Sequence, residues 1–65
     1  MLNSKTEYRS YFASVSDYVK MSYFLRKCNV NHSNFSRFMK GQEYDYLISW
    51  DKLDSLYLEV SKKFT

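Results

Sequence analysis

Residues 29–41, NVNHSNFSRFMKG, combine small polar side chains, an arginine, a lysine and the only glycine of the chain. On a helical wheel, Ser33, Arg37 and Lys40 share one side at i, i+4 and i+7, and two phenylalanines and a methionine cluster opposite. Arginine can fork onto guanine edges, asparagine can bond adenine, and short hydroxyl side chains let a helix approach a groove closely. The pattern predicts a short helix with an aromatic inner face and an outer face that has the chemistry of a DNA reader.

The charge distribution also sets this part of the chain apart. No acidic residue lies between Asp17 and Glu43, although the net charge is only +3. The cations of that interval are Lys20, Arg26, Lys27, Arg37 and Lys40. The acids of the last third are Glu43, Asp45, Asp51, Asp54 and Glu59. A basic middle beside an acidic end suggests that the middle faces an anion, and the alternative is a set of solvated helix faces.

The same residue inventory argues against several classes of protein. One His and one Cys are too few for a zinc site, and they leave no plausible catalytic triad or dyad. No glycine-rich phosphate loop is present. We therefore expect no enzyme activity, no metal and no cofactor. No basic leader and no apolar run of ~18–20 residues occurs, which predicts a cytoplasmic protein.

The elements that position the polar stretch follow from a near absence of helix breakers. With no proline and one glycine, residues 1–65 are predicted to form a single all-α domain of four helices. Seven Tyr, five Phe and one Trp predict a compact, aromatic-rich core. A chain this short buries only about 60% of its unfolded surface, so a stabilising homodimer is left open.

The first two predicted helices precede the polar stretch. The first spans about 5–14, with Ser4 and Glu7 as a capping box. Its apolar face is Tyr8, Tyr11, Phe12 and Val15. The second begins at Asp17 or Tyr18, with Ser16 or Asp17 as its cap, and runs to residue 28. Its inward stripe is Tyr18, Met21, Leu25 and Cys28, with Phe24 beside it. Asn29 fits the exit of this helix because Asn tolerates the left-handed conformation.

The third and fourth predicted helices follow. The third begins after the N-cap Asn31 and reaches Lys40, and Gly41 stands where a left-handed stop is expected. The fourth is capped by Ser49 and extends to about residue 64, with Ile48 placed to staple onto the first turns. Its apolar face is Leu53, Leu56, Tyr57, Val60 and Phe64. The intervening QEYDYLI is left open as a loop, an extended stretch or a helical turn.

The segment YFLRKCNVNHSNFSRFMKG, residues 23–41, resembles the helix-turn-helix of the Cro and phage-repressor-like (Xre-type) family. The running pattern of that family is roughly LAxxxGVSxxxISRxLxG. Val30 matches the buried turn residue, Ser36-Arg37 match the Ser-Arg pair, and Gly41 matches the closing glycine. Leu25 and Asn29 depart from the family's alanine and glycine.

The resemblance implies a sequence-specific, double-stranded DNA-binding protein, a small transcriptional regulator or repressor of a phage or mobile element. The motif would span about 18–41, with residues 32–40 as recognition helix in the major groove. The implied base-reading residues are His32, Ser33, Asn34 and Arg37. The phosphate-facing residues are Lys20, Met21, Ser22, Arg26, Lys27 and Lys40. Such modules commonly bind as dimers, and the fourth helix with the Trp50 region is the expected dimer surface.

A competing hypothesis concerns the acidic and aromatic segment 43–54. Exposed aromatics beside acids are typical of protein-contact surfaces. The candidate interface residues are Tyr44, Tyr46, Trp50, Asp51 and Asp54. In this hypothesis the helix-turn-helix core only supports the segment, which contacts another protein, such as a host enzyme or defence complex inhibited by a mobile element.

Overall fold

Four α-helices and two 3-10 segments make up the chain in a computed structural model, which describes residues 2–64. The α-helices are α1 (Lys5–Val15), α2 (Met21–Lys27), α3 (His32–Phe38) and α4 (Trp50–Ser61). The 3-10 segments are Gln42–Leu47 and Lys62–Phe64. No β-strand occurs between residues 2 and 64, so the predicted all-α fold is confirmed.

Helix α1 begins where its cap predicts. The hydroxyl of Ser4 accepts a hydrogen bond from the N–H of Glu7 at 3.1 Å. The carboxylate of Glu7 in turn accepts from the N–H of Asn3 at 3.2 Å, one residue before the donor of a standard capping box. The N–H groups of Glu7 and Asn3 therefore both have side-chain acceptors. The helix continues one residue beyond the predicted end, to Val15.

All four α-helices contribute to a single core with an aromatic centre. The ring of Tyr8 lies 6.2 Å from that of Phe12, 6.1 Å from that of Trp50 and 5.9 Å from that of Tyr57, measured between centroids. The buried residues are Tyr8, Phe12, Val15, Phe24, Leu25, Val30, Phe38, Ile48, Leu53, Leu56 and Val60. The predicted apolar faces of α1 and α4 supply six of these residues, and of the other predicted members Tyr11 and Tyr57 are half-buried and Phe64 is exposed.

The start of the second helix was predicted wrongly. Helix α2 begins at Met21 instead of residue 17 or 18, and its N-cap is Lys20, which makes no side-chain capping bond. The hydroxyl of Ser16 instead donates back to the carbonyl of Ala13, and the N–H of Tyr18 donates to the carbonyl of Val15 at 2.9 Å. These residues therefore close the end of α1. Tyr18, expected to point inward, is 77% exposed.

Two helix ends and the conformation of Gly41 also differ from prediction. Helix α3 ends at Phe38, so Lys40 lies beyond it. Gly41 has φ 165°, which is extended backbone and not the expected left-handed stop. Helix α4 ends at Ser61, and Phe64 lies on the following 3-10 turn with 52% of its surface exposed, so it does not continue the apolar face. Residues 42–47, left open by the sequence, form a 3-10 helix that packs on α1 and α3.

Candidate nucleic-acid interface

The connection between α2 and α3 sets the direction in which α3 leaves the core. Asn29 adopts φ 58°, the left-handed conformation that the sequence predicts for this position. The N–H of Val30 then donates to the carbonyl of Leu25 at 2.8 Å, and the Val30 side chain is buried. Lys52 of α4 donates to the carbonyls of Cys28 at 3.3 Å and Asn29 at 3.1 Å. The turn is thus tied to both α2 and α4.

Helix α3 is short, so its two ends depend on neighbouring residues. At the start, the side chain of Asn31 accepts from the N–H of Asn34 at 3.0 Å, as predicted for the N-cap. At the end, Nε of Arg9 donates to the carbonyl of Phe38 at 2.7 Å. The Phe38 side chain is fully buried, and the ring of Phe35 lies 5.8 Å from that of Phe12. The inner face of α3 is therefore fixed against α1.

The outer face of α3 is open to solvent. His32, Ser33, Ser36 and Arg37 are all exposed. The guanidinium of Arg37 forms no ion pair or hydrogen bond with any residue from 2 to 64. The sequence also allows an ion pair between Arg37 and Glu43 or Asp45 just beyond the helix, but neither pair forms, and the carboxylate of Asp45 pairs with Arg9.

Asn34 differs from the other residues predicted to read bases. It is half-buried and lines a groove of about 350 Å³ beside the 3-10 segment. The groove is bounded by the α2–α3 connection on one side and residues 46–49 on the other. Asn34 therefore lies at the edge of the open face of α3, whereas Ser33 and Arg37 lie on it.

The residues predicted to face phosphates divide into three groups. Lys20, Arg26 and Lys40 are exposed, and among residues 2–64 they have no ion-pair partner. Met21 and Ser22 are half-buried, and Met21 packs against the core. Only the first group presents unengaged charge to solvent.

Lys27 forms the third group, because its ammonium is already engaged. Its Nζ lies 3.0 Å from the carboxylate of Glu59 and 5.9 Å from the ring centroid of Tyr23. The hydrogen bond with Glu59 raises the pKa of Lys27, and the same bond lowers the pKa of Glu59. A phosphate contact by Lys27 would compete with this pair.

Three structural cations were not identified from the sequence. Arg9 donates to the carbonyls of Phe38 and Gly41, the latter at 3.0 Å. Lys5 donates to the carbonyls of Asp45 at 2.9 Å and Ile48 at 2.8 Å. With Lys52, these residues satisfy carbonyls at helix ends and turns. The only feature of the sequence that could have indicated these roles is that each residue borders an apolar stripe of its helix. At such positions the aliphatic part of a long cationic side chain packs along the core and its charged group reaches outward.

The acidic and aromatic segment 43–54 is only partly a surface. Tyr46 is 76% exposed and Trp50 is 47% exposed, with Asp51 exposed beside them. Tyr44 is half-buried. Asp54 accepts a hydrogen bond from the hydroxyl of Tyr8, so it has a structural role that the sequence did not suggest.

Residues 2–64 offer neither a metal site nor a membrane-spanning helix. That range holds no group of three or more His, Cys, Asp or Glu side chains placed to bind a metal ion. None of its helices combines the length and the apolar character that crossing a membrane requires.

Comparison with known proteins adds no relative. No protein-family model, no curated protein and no solved structure matches the chain.

Proposed function

We propose that the chain is a sequence-specific, double-stranded DNA-binding protein that places α3 in the major groove and acts as a small transcriptional regulator of a phage or mobile element. The observation that carries the proposal is the open face of α3, where Arg37 has no partner among residues 2–64. A reading helix needs such side chains free on a backbone that is itself fixed.

The division of labour among the cations supports the same function. Lys5, Arg9 and Lys52 bind carbonyls of the fold and are unavailable to a ligand. The exposed cations without an ion pair in the described part of the chain include Lys20, Arg26, Arg37 and Lys40. Lys20 caps α2, Arg26 lies on α2, Arg37 lies on α3 and Lys40 follows the C-cap of α3. In helix-turn-helix proteins these two helices meet the duplex, the first across the backbone and the second in the major groove.

The roles follow from this arrangement. Ser33 and Arg37 contact base edges. His32 contacts the duplex from the start of α3, and Asn34 does so from the edge of the open face. Lys20, Arg26 and Lys40 neutralise phosphates. Two copies would bind paired half-sites about one helical turn apart, with the exposed part of α4 and Trp50 as the dimer surface.

Binding to duplex DNA of random sequence, titrated with salt, tests the proposal directly. Neutralisation of about three phosphates by Lys20, Arg26 and Lys40 predicts a slope of about −3 per copy for log affinity against log salt. Arg37→Ala is expected to weaken binding, while Lys62→Gln, which removes the same charge at the end of α4, changes it little. A folded protein that binds no duplex at low salt, or an Arg37→Ala variant that binds like wild type, would refute the proposal.

Selection of an operator from random duplexes then tests base reading. If Arg37 reads a base, Arg37→Ala should lose the preference at one or two positions of the selected site, a discrimination of about 1–3 kcal/mol. If Arg37 contacts only phosphate, affinity should fall equally for all sequences.

A second candidate function rests on the exposure of Tyr46 and Trp50 beside Asp51. In that case the segment 43–54 binds a protein, as an inhibitor of a host enzyme or defence complex would. The two candidates are separated by variants, because Tyr46→Ala would abolish function in this case and leave duplex binding unchanged.

A further inference from the structure

A second groove, lined by no residue of α3, lies where the α1–α2 connection meets residues 63–64. Its volume is about 510 Å³. The lining consists of Tyr18, Val19, Lys20, Tyr23, Phe24, Lys63 and Phe64. The groove brings residues 18–24 together with residues 63–64, which are distant in the sequence.

Exposed aromatic rings surround this groove. Tyr18 is 77% exposed, Phe64 is 52% exposed and Tyr23 is 46% exposed. The ring of Tyr23 is held edge-on against buried Phe24, with centroids 5.1 Å apart. Exposure of large aromatic rings to water is unfavourable, and a cluster of exposed apolar groups commonly marks a binding site. None of these three rings belongs to the buried core. Tyr18 and Phe64 make no aromatic pair among residues 2–64, whereas the Tyr23 ring also has the Lys27 ammonium 5.9 Å from its centroid.

The charges of the groove have one sign. Lys20 and Lys63 line it, and no acidic side chain does. Neither lysine forms an ion pair with another residue of the described chain. Glu59, which pairs with Lys27 and Lys62, is not among the residues that line the groove. A ligand of this groove is therefore expected to be anionic and to carry flat, stackable groups.

We propose that this groove binds single-stranded nucleic acid. Bases stack on Tyr18, Tyr23 and Phe64, and Lys20 and Lys63 contact the phosphates between them. Aromatic platforms in a cationic groove are the usual means of holding single strands without sequence preference. A duplex cannot use the rings in this way, because its bases are already stacked within the helix. The groove shares Lys20 with the proposed duplex contact, but no residue of α3 lines it and none of its rings is used in duplex binding, so the two proposals can be tested independently.

The experiment measures binding of labelled oligothymidylate of about 15 nucleotides, a length that covers one such site, by fluorescence anisotropy at low salt. Tyr18→Ala and Phe64→Ala each remove a stacking ring and are expected to weaken binding roughly fivefold or more. The matched control is Tyr46→Ala, because Tyr46 is 76% exposed and lies outside the groove. Arg37→Ala serves as the opposite control, with a larger effect on a duplex than on the single strand. Circular dichroism verifies that each variant is folded.

The outcomes separate the alternatives. Binding that falls with Tyr18→Ala and Phe64→Ala but not with Tyr46→Ala supports the site, and comparison with oligouridylate of the same length shows whether DNA or RNA is preferred. No binding by folded wild type, or equal binding by all three variants, overturns it. If sedimentation instead shows self-association that Tyr18→Ala abolishes, the groove binds a second copy and the proposal is wrong. The single strand is tested with Tyr18→Ala and Phe64→Ala, and the duplex is tested with Arg37→Ala. A negative result with oligothymidylate therefore leaves the duplex-binding proposal unaffected.

Discussion

At the scale of single residues, Arg9 has the largest set of polar contacts. Its guanidinium donates to the carbonyls of Phe38 and Gly41 and pairs with Asp45. It also lies over the ring of Phe38, 4.6 Å from the centroid. The side chain is only 13% exposed, so these bonds are protected from water. Arg9 consequently joins α1, the end of α3 and the 3-10 segment.

Replacement of Arg9 by Met is expected to lower the free energy of unfolding by about 2–3 kcal/mol. The variant leaves two carbonyls and the Asp45 carboxylate without their charged donor, and hydrogen bonds to charged groups contribute ~1.5–3 kcal/mol. Urea unfolding measures the loss. Arg26→Met is the control, because Arg26 is exposed and surface changes of that kind stay within about 0.5 kcal/mol. Equal losses in both variants would show that the contacts of Arg9 do not stabilise the fold.

At the scale of elements, the angle between α2 and α3 depends on one residue in the left-handed region. Asn29 has φ 58°, a conformation that costs most L residues roughly 1–2 kcal/mol and costs Asn less. Asn29→Ala should therefore destabilise the protein by about 1 kcal/mol. Asn29→Gly should be nearly neutral, since relief of strain and the greater freedom of the unfolded chain oppose each other at ~1 kcal/mol each.

Thermal unfolding of both Asn29 variants tests this account. Asn31→Asp is a suitable reference, because aspartate can also accept the capping bond from the N–H of Asn34. An Ala variant as stable as the Gly variant would mean that the turn relaxes out of the left-handed region at no cost. In that case the orientation of α3 would be set by its packing through Phe35 and Phe38 and by the bonds of Lys52 and Arg9.

Elements determined by local interactions were predictable from the sequence. The caps Ser4, Asn31 and Ser49 each act through a backbone N–H three residues ahead. The start of α2 was not predictable in this way. Ser16 and Asp17 look like caps, but the N–H groups of Tyr18 and Val19 donate to the carbonyl of Val15, so these residues belong to the turn that ends α1.

Features that depend on distant parts of the chain were missed. The carbonyls bound by Arg9 lie 29 and 32 residues away, and those bound by Lys5 lie 40 and 43 residues away. The aromatic groove likewise joins residues 18–24 to residues 63–64. The outer face of α3 was predictable because helical period alone determines it. The groove was not, because Tyr18 and Phe64 look like core residues until the tertiary fold exposes them.

At the scale of the whole molecule, the hydrogen bond between Tyr8 of α1 and Asp54 of α4 makes the stability of the fold depend on pH in the alkaline range. Burial, with the hydrogen bond to Asp54, raises the pKa of Tyr8 to about 12. Burial also raises the pKa of Tyr11. In the unfolded chain a tyrosine loses its proton near pH 10. The folded state therefore retains protons that the unfolded state releases, and this contribution to stability, fully present below pH 10, is lost as the pH rises through the folded pKa.

The urea midpoint of wild type should accordingly fall between pH 10 and about 12. Tyr8→Phe is expected to be less stable at neutral pH by about 1 kcal/mol, from the lost hydrogen bond, but to show a shallower decline at high pH. Some decline remains because Tyr11 still titrates. Tyr46→Phe removes an exposed hydroxyl and should parallel wild type. A Tyr8→Phe curve as steep as that of wild type would place the alkaline sensitivity elsewhere, and the α1–α4 contact would then have no part in it.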